Sequence, residues 1–189
     1  MNGYLSNFLK DLRLKKVAKH CQGSVIDVGC YHGDLCDYLD VQSYIGTDID
    51  TEALQTAREK FPGYTFQLVE EAEKDSLKYD CVVSVANIGL VNDQAAFMKT
   101  LFEFCKDDGL VIISCPPPFS IHIHKLLSYL RITDPDFTYK SQNRLVGLDK
   151  MKTLSAAENA SVLRVERFLF GMNQLFVLSK NTNESNQNS

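Results

Sequence analysis

The sequence has no apolar run approaching the roughly 18 residues that a membrane-spanning helix needs. Its first residues lack the basic-then-apolar pattern of a secretory leader. It also lacks a basic excess. Lysine and arginine number 20 against 24 acidic residues, for a net charge of −4. That argues against nucleic acid as a partner, because phosphate binding shows as surplus positive charge. No Cys-x-x-Cys pair occurs among the six cysteines, Cys21, Cys30, Cys36, Cys81, Cys105 and Cys115. They sit beside or within apolar segments at irregular spacings, as reduced core cysteines do. No Cys, His and Asp set has the spacing of a metal site, and there is no internal repeat. The expected compartment is the cytoplasm. A chain of 189 residues, 44% hydrophobic, is expected to form one domain with a sizeable core.

What is present is a strand, a tight loop and a helix start. Val25-Ile26-Asp27-Val28 is a β-branched run carrying an acid, Gly29-Cys30-Tyr31-His32-Gly33 is a turn with two glycines, and Asp34 to Leu39 can be helical. Further on, Tyr44-Ile45-Gly46-Thr47 ends in Asp48. Glycines let backbone approach a ligand, a helix N-terminus offers free N–H groups, and a later acid can hold a ribose diol. The pair reads as a nucleotide-type cofactor site on a parallel sheet. A dinucleotide fingerprint wants glycine at the first, third and sixth loop positions. Counted from Gly29 these hold Gly29, Tyr31 and Asp34, so it fails twice. The form Asp-x-Gly-x-Gly-x-Gly falls on Asp27, Gly29, Tyr31 and Gly33 and fails only at Tyr31. A pyrophosphate tolerates no bulk in the loop, whereas a sulfonium amino acid carries no phosphate and leaves room for a side chain.

The remaining chain alternates β-runs with helical segments, which implies right-handed crossovers and a parallel sheet. A leading helix is expected over Tyr4 to His20, with Leu5, Phe8, Leu9, Leu12 and Val17 near helical spacing. Its other face is basic: Lys10, Arg13, Lys15, Lys16 and Lys19 read as a solvated face or as a contact for an anionic partner. Later helices are expected over Thr51 to Lys60, capped by Thr51, over Asp93 to Cys105, and over Leu148 to Ala160. Glu70 to Lys78 reads as a polar connection with weak helical character. Strands are expected at Tyr64 to Val69, Tyr79 to Val85 and Leu110 to Ser114. A helical stretch, 120–130, follows the triple proline, and 131–147 is polar and irregular. Val162 to Phe170 and Gln174 to Ser179 read as a closing hairpin. Residues 181–189 form a polar tail expected to be disordered, so the domain is expected to span 1–180.

At this point the chain resembles the class I S-adenosylmethionine-dependent methyltransferases. The resemblance runs from about Leu12 to Lys180. Ile26-Asp27-Val28-Gly29-Cys30-x-x-Gly33 is similar to the first motif of that family, and Gly46-Thr47-Asp48-Ile49-Asp50-x-Glu52 to the second. Tyr79-Asp80-Cys81-Val82-Val83-Ser84 resembles its fourth strand, and Lys106-Asp107-Asp108-Gly109-Leu110-Val111-Ile112-Ile113-Ser114 its turn and fifth strand. Phe170-Gly171-Met172-Asn173-Gln174 resembles a subset of small bacterial members. Tyr31 in place of glycine is the main departure. The resemblance implies an α/β, Rossmann-like, doubly wound sheet of seven mostly parallel strands, with an antiparallel last strand and helices on both faces.

It also implies S-adenosylmethionine as cofactor and a site at the strand ends. The cofactor-binding candidates are Asp27, Gly29, Cys30, Gly33, Asp48, Ile49, Glu70, Glu71, Ala86 and Asn87. Asp48 would accept both ribose hydroxyls through charge-assisted bonds, or cap the helix that follows. Ile49 would pack on adenine, or in the core. Asp27 would organise the loop, holding backbone amides or the cofactor amino group through water, or stand as a solvated acid at the strand end. Gly29 and Gly33 would admit the methionine part. For the adenine amino group, strand alternation points to Glu70 and the Asp-Ala-Glu pattern of the family to Glu71. Asn87 and Asn92 would line the acceptor side, or serve as ordinary turn residues. His122 and His124 are the candidates for a general base, with a surface position as the competing reading. Two apart on a helix they diverge by about 200° and form no metal pair. The expected function is methyl transfer by in-line displacement to a small-molecule acceptor, the chain having no visible extra domain. A binding or scaffold protein that keeps the fold without turnover is the alternative. A nicotinamide oxidoreductase is disfavoured by the glycine positions.

Overall fold

The computed structural model describes residues 2–41, 43–120 and 145–181. His122, His124, the helix expected at 120–130, most of the irregular stretch after it and nearly all of the tail lie outside the described residues. Seven strands form one sheet: β1 (Ser24–Val28), β2 (Ser43–Asp48), β3 (Thr65–Leu68), β4 (Tyr79–Val85), β5 (Cys105–Cys115), β6 (Ala160–Phe168) and β7 (Asn173–Lys180). Their order is β3-β2-β1-β4-β5-β7-β6. β1 to β5 are parallel, and β7 runs antiparallel to both of its neighbours. The register places Asp27 beside Gly46 on one side and Val83 on the other, and Ser114 beside Val85 and Leu175.

β1 and β4 hold the middle of the parallel block because they are apolar on both faces, as strands covered on both sides must be. One sheet face is covered by α1 (Asn2–Ala18), a 3-10 turn (Asp34–Tyr38) and α2 (Thr51–Lys60), through Leu14, Val17, Leu35, Leu54 and Ala57. The other face is covered by α3 (Val69–Asp75), α4 (Gln94–Phe104) and α5 (Leu148–Ala157), through Ala72, Met98, Leu101, Phe102 and Met151. At the amino edge Asp80 ties three strands together. Its Oδ2 accepts from Ser24 N–H at 2.8 Å and from Ser24 Oγ–H at 2.6 Å, and its Oδ1 meets Lys106 Nζ at 2.6 Å. The Lys106 ammonium, then the Ser24 donors, hold the Asp80 carboxyl well below the ordinary carboxylate range.

Local differences from the sequence reading have simple causes. The cap of α2 is Asp50, not Thr51: its carboxylate accepts the N–H groups of Glu52 and Ala53 at 3.0 and 3.1 Å, and an ionised acceptor satisfies two end amides at once. Glu70 to Lys78 contains a real helix, α3, because Glu71 reaches back to accept Leu68 N–H at 3.0 Å. The largest difference is in α1. Val17 is buried as expected and Leu14 is buried beside it, whereas Phe8, assigned to the apolar face, is 58% exposed and Leu12 is also exposed. Ion pairs from Lys10 to Asp34 and from Lys16 to Glu166 fix that rotation.

Candidate active site

The carboxyl ends of β1 to β5 share one edge, where ligands of open parallel sheets bind. The loop after β1 is wound by alternating left-handed residues: Gly29 (φ 80°), Tyr31 (φ 50°) and Gly33 (φ 71°). Four of its amides are directed. Gly29 and Cys30 N–H donate to Thr47 C=O at 2.8 and 3.0 Å, Tyr31 N–H to Asp48 Oδ2 at 2.8 Å, and Gly33 N–H to Cys30 C=O at 2.9 Å. The position where the motif has glycine thus keeps the glycine-like backbone. The Tyr31 side chain, 56% exposed, turns outward and stacks on His32 with ring centroids 3.7 Å apart.

Both glycines are held by protein contacts as well. A Cβ on Gly29 would lie 2.3 Å from Asn87 Nδ2, and one on Gly33 would lie 2.7 Å from the Phe66 ring. Asn87 clamps the loop: its Nδ2 donates to Val28 C=O and Gly29 C=O at 3.1 and 3.0 Å and lies 3.3 Å from Ser84 Oγ. The preceding Ala86 takes φ 65°, and its N–H donates to Ser114 C=O at 2.8 Å, which turns the chain over the edge. Cys30 points its thiol into the core, and burial pushes that thiol upward, further from ionisation.

Asp48 ends β2 with its carboxylate anchored by three amides. Besides Tyr31, its Oδ1 accepts from Ile49 N–H at 2.8 Å and from Asp50 N–H at 3.1 Å. It does not cap α2, because Asp50 does. Ile49 is 86% exposed, so it is not a core residue.

Asp27 differs from its sequence reading. It holds no loop amide and is only 2% exposed. Tyr44 O–H donates to its Oδ2 at 3.1 Å, and Oδ1 is buried without a partner. Burial raises its carboxyl pKa to about 7, against a smaller lowering from Tyr44 and with a further rise from Asp48. After β3, Glu71 is engaged at the start of its own helix, while Glu70 is exposed and carries no side-chain partner among the described residues. Asn92 lies in the turn before α4.

Sequence reading also missed Arg13. Placed on the solvated basic face, it turns inward: its Nε is sealed from solvent without a hydrogen-bond partner, as are Ser114 Oγ and Asn173 Oδ1. The available signal was its position one residue before the buried Leu14 and one turn before Val17.

A family model described as a methyltransferase domain matches residues 1–147. The chain belongs to the methyltransferase-domain family. Methyltransferases of this family use S-adenosylmethionine. A protein of Invertebrate iridescent virus 6 that carries a methyltransferase name, 235L, is 34% identical over 102 residues, covering 50% of this chain and 37% of its own length. Methyltransferase OMS1, mitochondrial, of Saccharomyces cerevisiae is 28% identical over 127 residues, 53% of this chain and 27% of that protein. The chain therefore aligns with well under half the length of these curated relatives. Among solved structures, the plantazolicin methyltransferase BpumL, crystallised with a pentazolic desmethylPZN analogue and S-adenosylhomocysteine, superposes with a TM-score of 0.70 at 14% identity, over 95% of this chain and 86% of that one. This likeness extends the methyltransferase fold through β6 and β7, past the end of the family match. Among the described residues no helix is long and apolar enough to cross a membrane.

Proposed function

We propose that this methyltransferase-family protein transfers the methyl group of S-adenosylmethionine to a small-molecule acceptor in the cytoplasm. The observation that carries the reading is the carboxyl end of β2. Three amides fix the Asp48 carboxylate beside Ile49, an isoleucine left 86% exposed. An anchored acid next to an exposed apolar side chain suits a ribose diol beside a flat base. Asp48 accepts the two ribose hydroxyls, Ile49 covers one face of adenine, and Glu70 accepts from the adenine amino group, since Glu71 is engaged in capping. The unpartnered Asp27 Oδ1 suits the amino group of the methionine part. The loop Gly29 to Gly33, clamped by Asn87, supplies the floor. The six cysteines are buried and unpaired, which suits a reducing compartment.

S-adenosylmethionine, when bound, supplies a methyl group already activated on a positive sulfur. The protein's task is then to position and to exclude water. Holding donor and acceptor in line can supply roughly 7–11 kcal/mol of the barrier. Asp48, Ile49 and Glu70 would hold its adenosine and the Gly29 to Gly33 loop its methionine part, so that the methyl group would be open to an acceptor. Any proton the acceptor must lose goes to a base, for which His122 and His124 remain the candidates.

Isothermal titration with S-adenosylhomocysteine tests the reading. Saturable binding with one site is expected. Absence of binding at millimolar ligand would turn the assignment to a scaffold that keeps the fold without turnover.

A further inference from the structure

Phe170, in the turn between β6 and β7, is 100% exposed. Leu169, Phe170 and Gly171 take φ of 53°, 55° and 82°, three left-handed residues in a row. The turn is closed: Gly171 N–H donates to Phe168 C=O at 3.1 Å, and Met172 N–H to Leu169 C=O at 3.0 Å. Left-handed backbone is strained for two bulky side chains. A fixed turn thus holds an aromatic ring out in water, where it adds nothing to the core.

The first helix carries a matching stripe. At about 100° per residue, Phe8, Leu12, Lys15 and Lys19 fall within about 60° of one another, and all four are exposed. Leu14 and Val17, which pack on the sheet, lie about 130–170° away, on the far side of the helix. The stripe and the turn meet in space. A cleft of about 680 Å³ is lined by Leu12, Lys15, Lys19, Tyr38, Phe168 and Leu169, so the helix stripe and the residue before Phe170 share one surface. None of the candidate cofactor-binding residues lines it.

The charge on this surface has one sign in excess. Lys16, also on the cleft wall, pairs with Glu166. Lys15 lies over the Tyr38 ring, and neither Lys15 nor Lys19 has an ion pair among the described residues. Asp40 is the one acid among the lining residues. A chain of net charge −4 therefore carries a face that is both apolar and locally cationic.

We propose that this face, the α1 stripe together with the Phe170 turn, docks on the surface of an anionic lipid bilayer. Phe8, Leu12 and Phe170 enter the boundary between head groups and acyl chains, and Lys15 and Lys19 carry their ammonium groups on long stems to the lipid phosphates. The chemistry favours lipid over a protein partner. Protein interfaces are depleted in lysine and use arginine, whose planar fork gives directional pairing, whereas the unpaired cations here are lysines. The inference does not depend on the methyltransferase reading.

The test is co-sedimentation of the full chain with phosphatidylcholine vesicles, with and without phosphatidylglycerol. Wild type is expected to bind the anionic vesicles and to stay in solution with pure phosphatidylcholine. A basic residue near an anionic surface contributes about five-fold in affinity, so Lys15→Gln with Lys19→Gln should weaken binding at least about ten-fold. Lys150→Gln with Lys152→Gln makes the same change in net charge on exposed positions of α5, across the sheet, and should bind as wild type does. Phe170→Ser, which leaves the charge alone, should also weaken binding several-fold. All the substituted residues are exposed, so melting temperatures should stay close to that of wild type. The inference is overturned by absence of binding to anionic vesicles, by equal losses in the two lysine pairs, or by full binding in F170S. Dimerisation that the Phe170→Ser change abolishes, with no vesicle binding, would instead give the face to a second copy of the chain.

Discussion

Asp48 Oδ2 accepts the Tyr31 N–H at 2.8 Å, across 17 residues of chain. That bond joins the end of β2 to the middle of the glycine loop. It explains how a tyrosine stands where the motif has glycine: Tyr31 adopts φ 50°, its amide is held, and its ring leaves the loop for solvent. The backbone shape of the loop is kept while the side chain is excluded from it.

Replacing Tyr31 by glycine should therefore be tolerated. The left-handed conformation costs a non-glycine residue about 1–2 kcal/mol, and glycine's extra chain entropy offsets roughly 0.5–1 kcal/mol of the relief. Y31G is expected within about 1 kcal/mol of wild type in denaturant unfolding, with S-adenosylhomocysteine affinity retained. Y31V, β-branched in the same conformation, should be the less stable of the two. Equal midpoints for both variants would contradict the strain assigned to this position.

Asp48→Asn tests the ribose contact. The three amides it anchors are near solvent and can turn to water, so stability should fall by no more than about 1 kcal/mol. Affinity for S-adenosylhomocysteine should fall by about 1.5–3 kcal/mol for each charge-assisted bond lost. A titration showing wild-type affinity in a folded D48N protein would remove Asp48 from the site.

Ile49→Ala separates core from ligand contact. A side chain 86% exposed contributes little to folding, so the melting temperature should not move. If adenine covers it, truncation should weaken S-adenosylhomocysteine binding by roughly 1–2 kcal/mol, the scale of burying that much apolar surface. A drop in melting temperature without a change in affinity would reverse the assignment.

Asp27 sets a pH dependence of stability. Its folded pKa is about 7 against an ordinary 3.8, raised mainly by burial. Between these values the unfolded chain has released a proton that the folded chain still holds, so its contribution to stability falls as pH rises through the window and levels off above about 7. Asp27→Asn removes that slope. The stability of D27N minus that of wild type should grow from near zero at about pH 4 to a few kcal/mol at about pH 8, on the scale of 1.4 kcal/mol per pH unit. Parallel unfolding curves for the two proteins across this range would show that burial does not perturb the group.

Much of the fold was legible because it is written locally. β4 occupies Tyr79–Val85 as its apolar residues on both faces predict, and α4 begins after Asp93, whose carboxylate accepts the amides of Ala95 and Ala96. Asp48 at the end of β2 and the loop between Gly29 and Gly33 follow from residue type and spacing within a few positions. The first helix was legible as a helix but not as a packed one. Its apolar residues are spread around the axis, so periodicity favoured Phe8 and Leu12, which are exposed, and passed over Leu14, while Val17 is buried as expected.

The sequence by itself determined the order of helices and strands, the glycine loop and the acid that follows it, since those depend on backbone preferences within about ten residues. Only the tertiary structure decided that Asp27 is cut off from water beside Tyr44, that Asn87 is the clamp on Gly29, and that Arg13 turns inward. Desolvation and hydrogen-bond pairing are set by groups distant in the chain, 58 residues apart for Asn87 and Gly29, and no local pattern records which of them will meet.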